Sequence, residues 1–328
     1  MNKTLLGILM ILVGLLFFYK AIAPGTGPKT AAVPYWQFRS IDTVKYSRDL
    51  SREKLADESF DLTINTQVGD IAKTGASHIA ISTPYDDEFN PMLKRWVQAA
   101  RKYKLKVWFR GNFSGWEKWF GYDKIDRNTH LKKTEDFILK NPYFFENGDI
   151  FTPCPECENG GSGDPRQTGG VEDYRKFLID EYQISQKSFK KIGKDLNSGF
   201  YSMNYDVATL VMDKDTTKSL GGIVVIDHYV GKPEKLISDI NKIAVASGGK
   251  VVLGEFGVPI PDINGRMNEE QQSDWISSVL ENLKNNPNVI GINYWVSVGG
   301  STQLWNKNGN PRKAVKTITS FYTFRKFI

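Results

Sequence analysis

After residue 34 the chain repeats one pattern eight times: a short run of β-branched and aromatic residues, then a longer stretch with apolar positions every three or four residues. The short runs fall at residues 35–41, 78–83, 106–111, 149–153, 199–204, 222–228, 250–255 and 289–295. Several are continuously apolar, as parallel strands covered on both faces must be. Between them, Met92, Leu93, Trp96, Val97 and Ala100 share one helical face. Leu236, Ile237, Ile240, Ile243 and Ala244 form a second such stripe, and Trp275, Ile276, Val279, Leu280 and Leu283 a third. Gly249 and Asn288 stand where a helix must give way to a strand. Residues 311–327 read as a closing helix. The fifth unit is the weakest, because the short polar stretch MDKDTTKSLGG predicts little more than a turn. Eight such units over residues 35–328 predict a single α/β domain, a (β/α)8 barrel of the TIM type. An open, doubly wound sheet is the second reading, but no GxGxxG follows the first strand.

The first 23 residues break this pattern. A basic start precedes an unbroken apolar run from residue 5 to residue 19, the form of a secretory signal. With residues 21–23 included, the run reaches the length of a membrane-spanning helix, and Lys20 can snorkel. Ala21-Ile22-Ala23 resembles a cleavage site, but Pro24 follows at once. The expectation is an uncleaved N-terminal anchor, with a cleaved signal as the alternative; either places the barrel outside the cytoplasm. Residues 24–34, rich in Pro and Gly, read as a linker.

Charge narrows the partners. Half of the formal net charge of +6 comes from Lys3, Lys20 and Lys29, in a segment that holds no acid. The weak excess left on the body gives no basis for nucleic-acid binding. Eight Trp, 14 Tyr and 19 Phe are more informative, because aromatic faces suit flat ligands such as sugar rings. The three His are scattered and the two Cys lack a second ligand pair, so no metal site is expected, and no cofactor motif is present. The body is read as a monomer.

In a barrel of this kind chemistry sits at the C-terminal ends of the strands. Those ends carry Tyr85 and Asp86; Arg110, Asn112 and Trp116; Glu156 and Glu158; Asn204 and Tyr205; His228 and Tyr229; Glu255; and Trp295. One rim thus gathers carboxylates, a histidine and several rings. Bland readings stand beside these: Asp86, Asp87 and Glu88 as acids at a helix N-terminus, Trp116 and Trp119 as helix caps, His228 and Trp295 as core, Arg110 as a brace.

Three of these strand ends resemble clan A glycoside hydrolases, the barrel group that includes family-5 cellulases and mannanases. VVLGEFGVP, residues 251–259, is similar to their seventh-strand motif, IDHYV, residues 226–230, to the sixth, and GINYWVSVGG, residues 291–300, to the eighth. The resemblance implies a retaining β-glycoside hydrolase or transglycosylase that cleaves O-glycosyl bonds of a polysaccharide or oligosaccharide. It implies Glu255 as nucleophile and Trp295 as the floor under the sugar. Arg110 and His228 would keep Glu255 ionised. Arg110, Asn112, Trp116, Glu158, Asn204, Tyr205, His228 and Tyr229 would contact the glycan. The fourth strand departs from the pattern: where the family ends in Asn-Glu-Pro, this chain reads FTPCPECENGG, residues 151–161, with Pro155 in place of Asn. Glu156 takes the position of the acid/base, and Glu158 is the alternative. Cys154 and Cys157 bracket Glu156 and form either a local disulfide or two free thiols. The rival reading of the whole chain is a carbohydrate-binding barrel that has lost its acid.

Overall fold

The computed structural model describes residues 32–324 and 326–327. The expected signal or anchor over residues 1–23 lies outside them, as does the linker up to residue 31. Among the described residues no helix is long and apolar enough to cross a membrane. The described part divides into two units. One is a two-residue antiparallel pairing of Ala32–Val33 with Lys326–Phe327. The other, Pro34–Phe324, holds everything discussed below.

Its eight strands are β1 (Phe38–Asp42), β2 (His78–Ile81), β3 (Lys106–Phe109), β4 (Ile150–Phe151), β5 (Ser202–Asn204), β6 (Ile223–Asp227), β7 (Lys250–Phe256) and β8 (Val289–Tyr294). All neighbours are parallel, and the hydrogen-bonded order is β4-β3-β2-β1-β8-β7-β6-β5. The seam between β4 and β5 is closed by backbone on the approach to β5. Asn197 donates to the Asp149 carbonyl and accepts from the Phe151 amide, and the Thr152 hydroxyl reaches the Phe200 carbonyl. The molecule is therefore a (β/α)8-type barrel, with every expected strand present.

The helices follow the predicted stripes. Met92, Leu93, Trp96, Val97 and Ala100 are buried on the helix Asn90–Lys102, and Trp275, Ile276, Val279, Leu280 and Leu283 on Glu269–Leu283. The closing helix is shorter than its pattern, spanning Lys313–Thr323. The fifth unit differs from expectation. It forms two short helices, Tyr205–Val211 and Lys214–Ser219, the second capped by Asp213, whose carboxylate accepts from the Thr216 amide. A polar sequence without a long stripe still folds here because a good cap satisfies the first turn.

Side chains alternate in and out of the barrel with period two, so each strand contributes to stacked layers. The lower layer is apolar: Phe38, Ala80, Trp108, Ile150, Phe200, Val225 and Val252 fill the lumen. Two residues further along the same strands the lumen turns polar, with Ser40, Arg110, Thr152, Ser202, Asp227 and Gly254; Asp42 follows Ser40 by two more. This change of chemistry builds the floor of the site.

Candidate active site

Arg110, just past the end of β3, is the hub. Its Nη1 donates to Asp42 Oδ2 at 2.7 Å and pairs with Glu255 Oε1 at 3.0 Å. Its Nη2 donates to Ser202 Oγ at 3.1 Å and Asp227 Oδ2 at 3.2 Å. One buried guanidinium thus ties β3 to β1, β5, β6 and β7. Burial works against its charge, but Glu255, Asp227 and Asp42 outweigh that and hold it firmly protonated. With both terminal nitrogens engaged and the side chain enclosed, Arg110 braces the site from below rather than contacting a glycan as expected. The brace has a steric condition, since a Cβ on Gly254 would lie 2.4 Å from Asp227 Oδ1.

Glu255 sits where the β7 ladder is irregular. The register shifts on the β6 side between Ile226 and Asp227, and on the β8 side between Leu253 and Phe256. Such irregularities re-aim side chains. The Tyr229 hydroxyl donates to Glu255 Oε2 at 2.7 Å, and Arg110 takes Oε1. Burial outweighs the pull of Arg110 and of these hydrogen bonds and, with Asp42 close by, leaves the Glu255 carboxyl above its ordinary range. His228 does not join it: its Nε2 pairs with Asp239 Oδ2 at 2.8 Å and its ring stacks on Tyr205. The expected help from His228 is replaced by Tyr229. Trp295 lies beside this group, its ring 6.1 Å from that of Tyr229, and its peptide bond to Val296 is cis.

Glu156 occupies the loop after β4 in a left-handed backbone conformation, φ +43°, unusual for a residue with a side chain. Cys154 and Cys157 are joined by a disulfide on either side of it, and its amide donates to the Ser202 carbonyl. The side chain stays partly accessible, contacting Asn159 Nδ2 at 3.2 Å. Burial first, then the charges of Glu255 and Glu158, push its carboxyl up to about 7, against the pull of Arg110.

The remaining expected contacts fall into two groups. Tyr205 and Asn204 are half-buried at the rim. Asn112, Trp116 and Glu158 are buried, a correction to their reading as glycan contacts. Asn112 Oδ1 accepts from His130 Nε2 and from the Phe113 amide. Trp116 is 2% exposed, stacked on Phe177, with its indole N–H donated to the Cys157 carbonyl. Glu158 is 3% exposed and satisfied on both oxygens, by Asn204 and by the Tyr174 hydroxyl. Tyr85 is core, its hydroxyl donating to the Thr152 carbonyl. Asp86 is also buried, accepting from the Ser114 amide and paired with Lys133.

Sequence reasoning missed Asp42, Asp227, His130 and Asn293, whose Nδ2 donates to Asp42 Oδ2 at 2.8 Å and to the Gly254 carbonyl at 2.7 Å. The signal for Asp227 was available: an acid at the end of the apolar run IVVID needs a buried partner. His130, inside a polar helix and 0% exposed between Asn112 and Glu181, carried no such signal. Among the described residues no group of three or more His, Cys, Asp or Glu has the arrangement to hold a metal ion.

No family model and no curated protein matches the sequence. Solved structures do resemble the fold. A GH5_18 protein from Bifidobacterium longum subsp. infantis aligns over 88% of this chain and 79% of its own, at 13% identity and a TM-score of 0.65. A GH5_18 from Streptomyces cattleya, solved with GlcNAc, aligns over 89% and 80%, at 11% identity and 0.63. Fungal β-1,4-galactanases align over 87% and 99%, at 12% identity and 0.62. A β-glucuronidase of Dictyoglomus thermophilum aligns over 90% of this chain but about half, 51%, of its own, at 13% identity and 0.59. The chain shares with these glycoside hydrolases the barrel fold.

Proposed function

We propose that this barrel hydrolyses O-glycosidic bonds by double displacement, with Glu255 as nucleophile and Glu156 as acid/base. The observation that carries the reading is the unequal treatment of two glutamates at the ends of β4 and β7. Glu255 touches a fixed cation and a hydroxyl donor, which favour its carboxylate form. Glu156 has no such cation contact, and its carboxyl is pushed to about 7, so it holds a proton near neutral pH. Breaking a glycosidic bond needs one carboxylate at the anomeric carbon and one carboxylic acid at the leaving oxygen. Burial raises both carboxyls, and the direct cation and hydroxyl contacts made at Glu255 and not at Glu156 assign the nucleophile's role to Glu255. Glu158, satisfied on both oxygens by protein donors, is a support rather than a proton donor. The fold neighbours, glycoside hydrolases by description, support the same reaction class. We further infer that the protein works outside the cytoplasm, since a buried disulfide suits an oxidising compartment.

The test is Glu255→Ala assayed on activated aryl β-glycosides. Turnover falls by at least about 10³-fold, as for loss of a covalent nucleophile. Azide restores it and yields a glycosyl azide of opposite anomeric configuration to the retained product. An alanine variant with wild-type turnover removes Glu255 from the mechanism. Glycan binding without turnover in the wild type favours the binding-barrel reading.

A further inference from the structure

We propose that the substrate carries an anionic group on the sugar that rests against Trp295, a uronic carboxylate or a sulfate ester, and that Lys45 recognises it. The proposal rests on the glycosidase reading of the site and deepens it.

Lys45 lies in the loop after β1, and the structure fixes it beside the floor ring. Its amide donates to the Val298 carbonyl at 3.0 Å, Val44 bridges Val298, and the Ser297 amide reaches the Asp42 carbonyl at 2.9 Å. The loops after β1 and β8 are thereby zipped together. The lysine stem packs on Gly300 so closely that a Cβ there would lie 2.7 Å from Lys45 Cδ. The ammonium ends 4.7 Å from the Tyr46 ring centroid and 5.5 Å from that of Trp295. Trp295 in turn neighbours Tyr229, which holds Glu255. A half-buried cation is thus held near the proposed nucleophile.

Lys45 differs from the arginines of this rim in having no carboxylate partner among the described residues. Arg110 is matched by three carboxylates, Arg48 by Asp49 and Arg52 by Glu88. Among the described residues Lys45 has ring faces and no carboxylate partner. A ring face attracts a cation without neutralising it. Of the two proposed catalytic acids Glu156 stands beyond β4 and Glu255 on β7, whereas Lys45 follows β1, whose own acid, Asp42, is already tied to Arg110. An anionic substituent therefore meets Lys45 if it points toward β1, and repulsion from the carboxylate of the proposed nucleophile, Glu255, disfavours an orientation toward β7. A neutral sugar hydroxyl can accept a hydrogen bond from the ammonium but leaves its charge unmatched.

The experiment compares matched 4-nitrophenyl β-glycosides that differ only at C6: glucuronide, glucoside and glucose-6-sulfate, with the galacto series alongside. The wild type is expected to prefer an anionic member over its neutral partner by about 10- to 100-fold in kcat/KM, the scale of a hydrogen bond to a charged group. That preference shrinks as NaCl rises, because the pair lies at a solvent-facing rim. Lys45→Met keeps the stem and removes the charge, and is expected to collapse the ratio through KM; Lys45→Arg restores part of it. The carboxylate and sulfate arms identify which anion is read. A neutral preference in the wild type, or a ratio unmoved in Lys45→Met, overturns the proposal. Calorimetry with Glu255→Gln and cello-oligosaccharides against their C6-oxidised, β-1,4-linked glucuronate counterparts keeps it separate from the hydrolase reading. Selective oligouronate binding with no turnover in the wild type sinks the hydrolase and sustains the charge preference. Equal or absent binding of both oligosaccharides sinks the preference.

Discussion

The two strands that deliver the glutamates to the rim are built in opposite ways. β7 runs seven residues, with ladders to β6 and β8, and delivers Glu255 on a paired strand. β4 has two residues in ladder with β3, and Glu156 stands beyond it on a loop, in a left-handed conformation, between two bridged cysteines. On the β7 side placement comes from the sheet, and charge from Arg110. On the β4 side placement comes from a covalent staple, and protonation from burial beside other acids. A nucleophile must stay ionised and still, whereas an acid/base must change protonation twice in a cycle. The two supports suit those two demands.

The comparison breaks most severely at Arg110. Arg110→Met leaves Asp42, Asp227 and Glu255 buried around no cation, so a loss of about 3–5 kcal/mol is expected by denaturant melts. The result that defeats this view is a variant as stable as the wild type. Glu156→Gln attacks the other side without touching the fold. Turnover of poor leaving groups should drop by about 10²–10⁴-fold, and that of activated aryl glycosides far less. The basic limb of the pH–rate profile, placed near 7 by the raised carboxyl, should vanish with it.

The same shift has a sign in stability. The folded state holds the Glu156 proton up to about 7, whereas the unfolded chain releases it in the ordinary carboxylate range. Wild-type stability should therefore fall as pH rises through that window, and the Gln variant should lose this part of the slope. Parallel melting curves for the two proteins from pH 4 to 8 would contradict the assignment. The smallest effect concerns the staple. Cys154→Ser with Cys157→Ser opens a loop so short that little stability is lost, but Glu156 loses its placement. A fall of about 10-fold on poor leaving groups, with activated ones nearly unchanged, is expected from such misplacement. Equal losses on both substrate classes would assign the bridge to the fold instead.

Much of the scaffold was legible. Runs such as IVVID and VVLGEF can satisfy themselves only as doubly covered strands, and the stripe of Trp275, Ile276, Val279, Leu280 and Leu283 only as a helix against them. The fifth unit was underread because a cap at Asp213 leaves little hydrophobic trace. Within the site, Glu255, Glu156 and Tyr229 stood at readable strand ends. Trp116 and Asn112 did not stay where their strand end implied, because the loop after β3 folds inward, and Phe177 and His130, on other helices, cover them. Local sequence marks the end of a strand, not the path of the loop beyond it. Asp42 and Asp227 depend on an arginine 68 and 117 residues away, which no short window contains.

The Arg110 crossbar also bears on how such a barrel assembles. Its partners lie on four strands that meet only when the sheet has curled, so none of its ion pairs can guide early folding. Before closure each acid is hydrated and content. At closure all of them must surrender water together, and they can do so only if Arg110 arrives between them. A slip of one residue in β1 or β6 would turn Asp42 or Asp227 to the opposite face and leave the guanidinium buried with too little negative charge. The centre of the site thus acts as a lock on register: the charges that later serve a reaction first reject misaligned barrels.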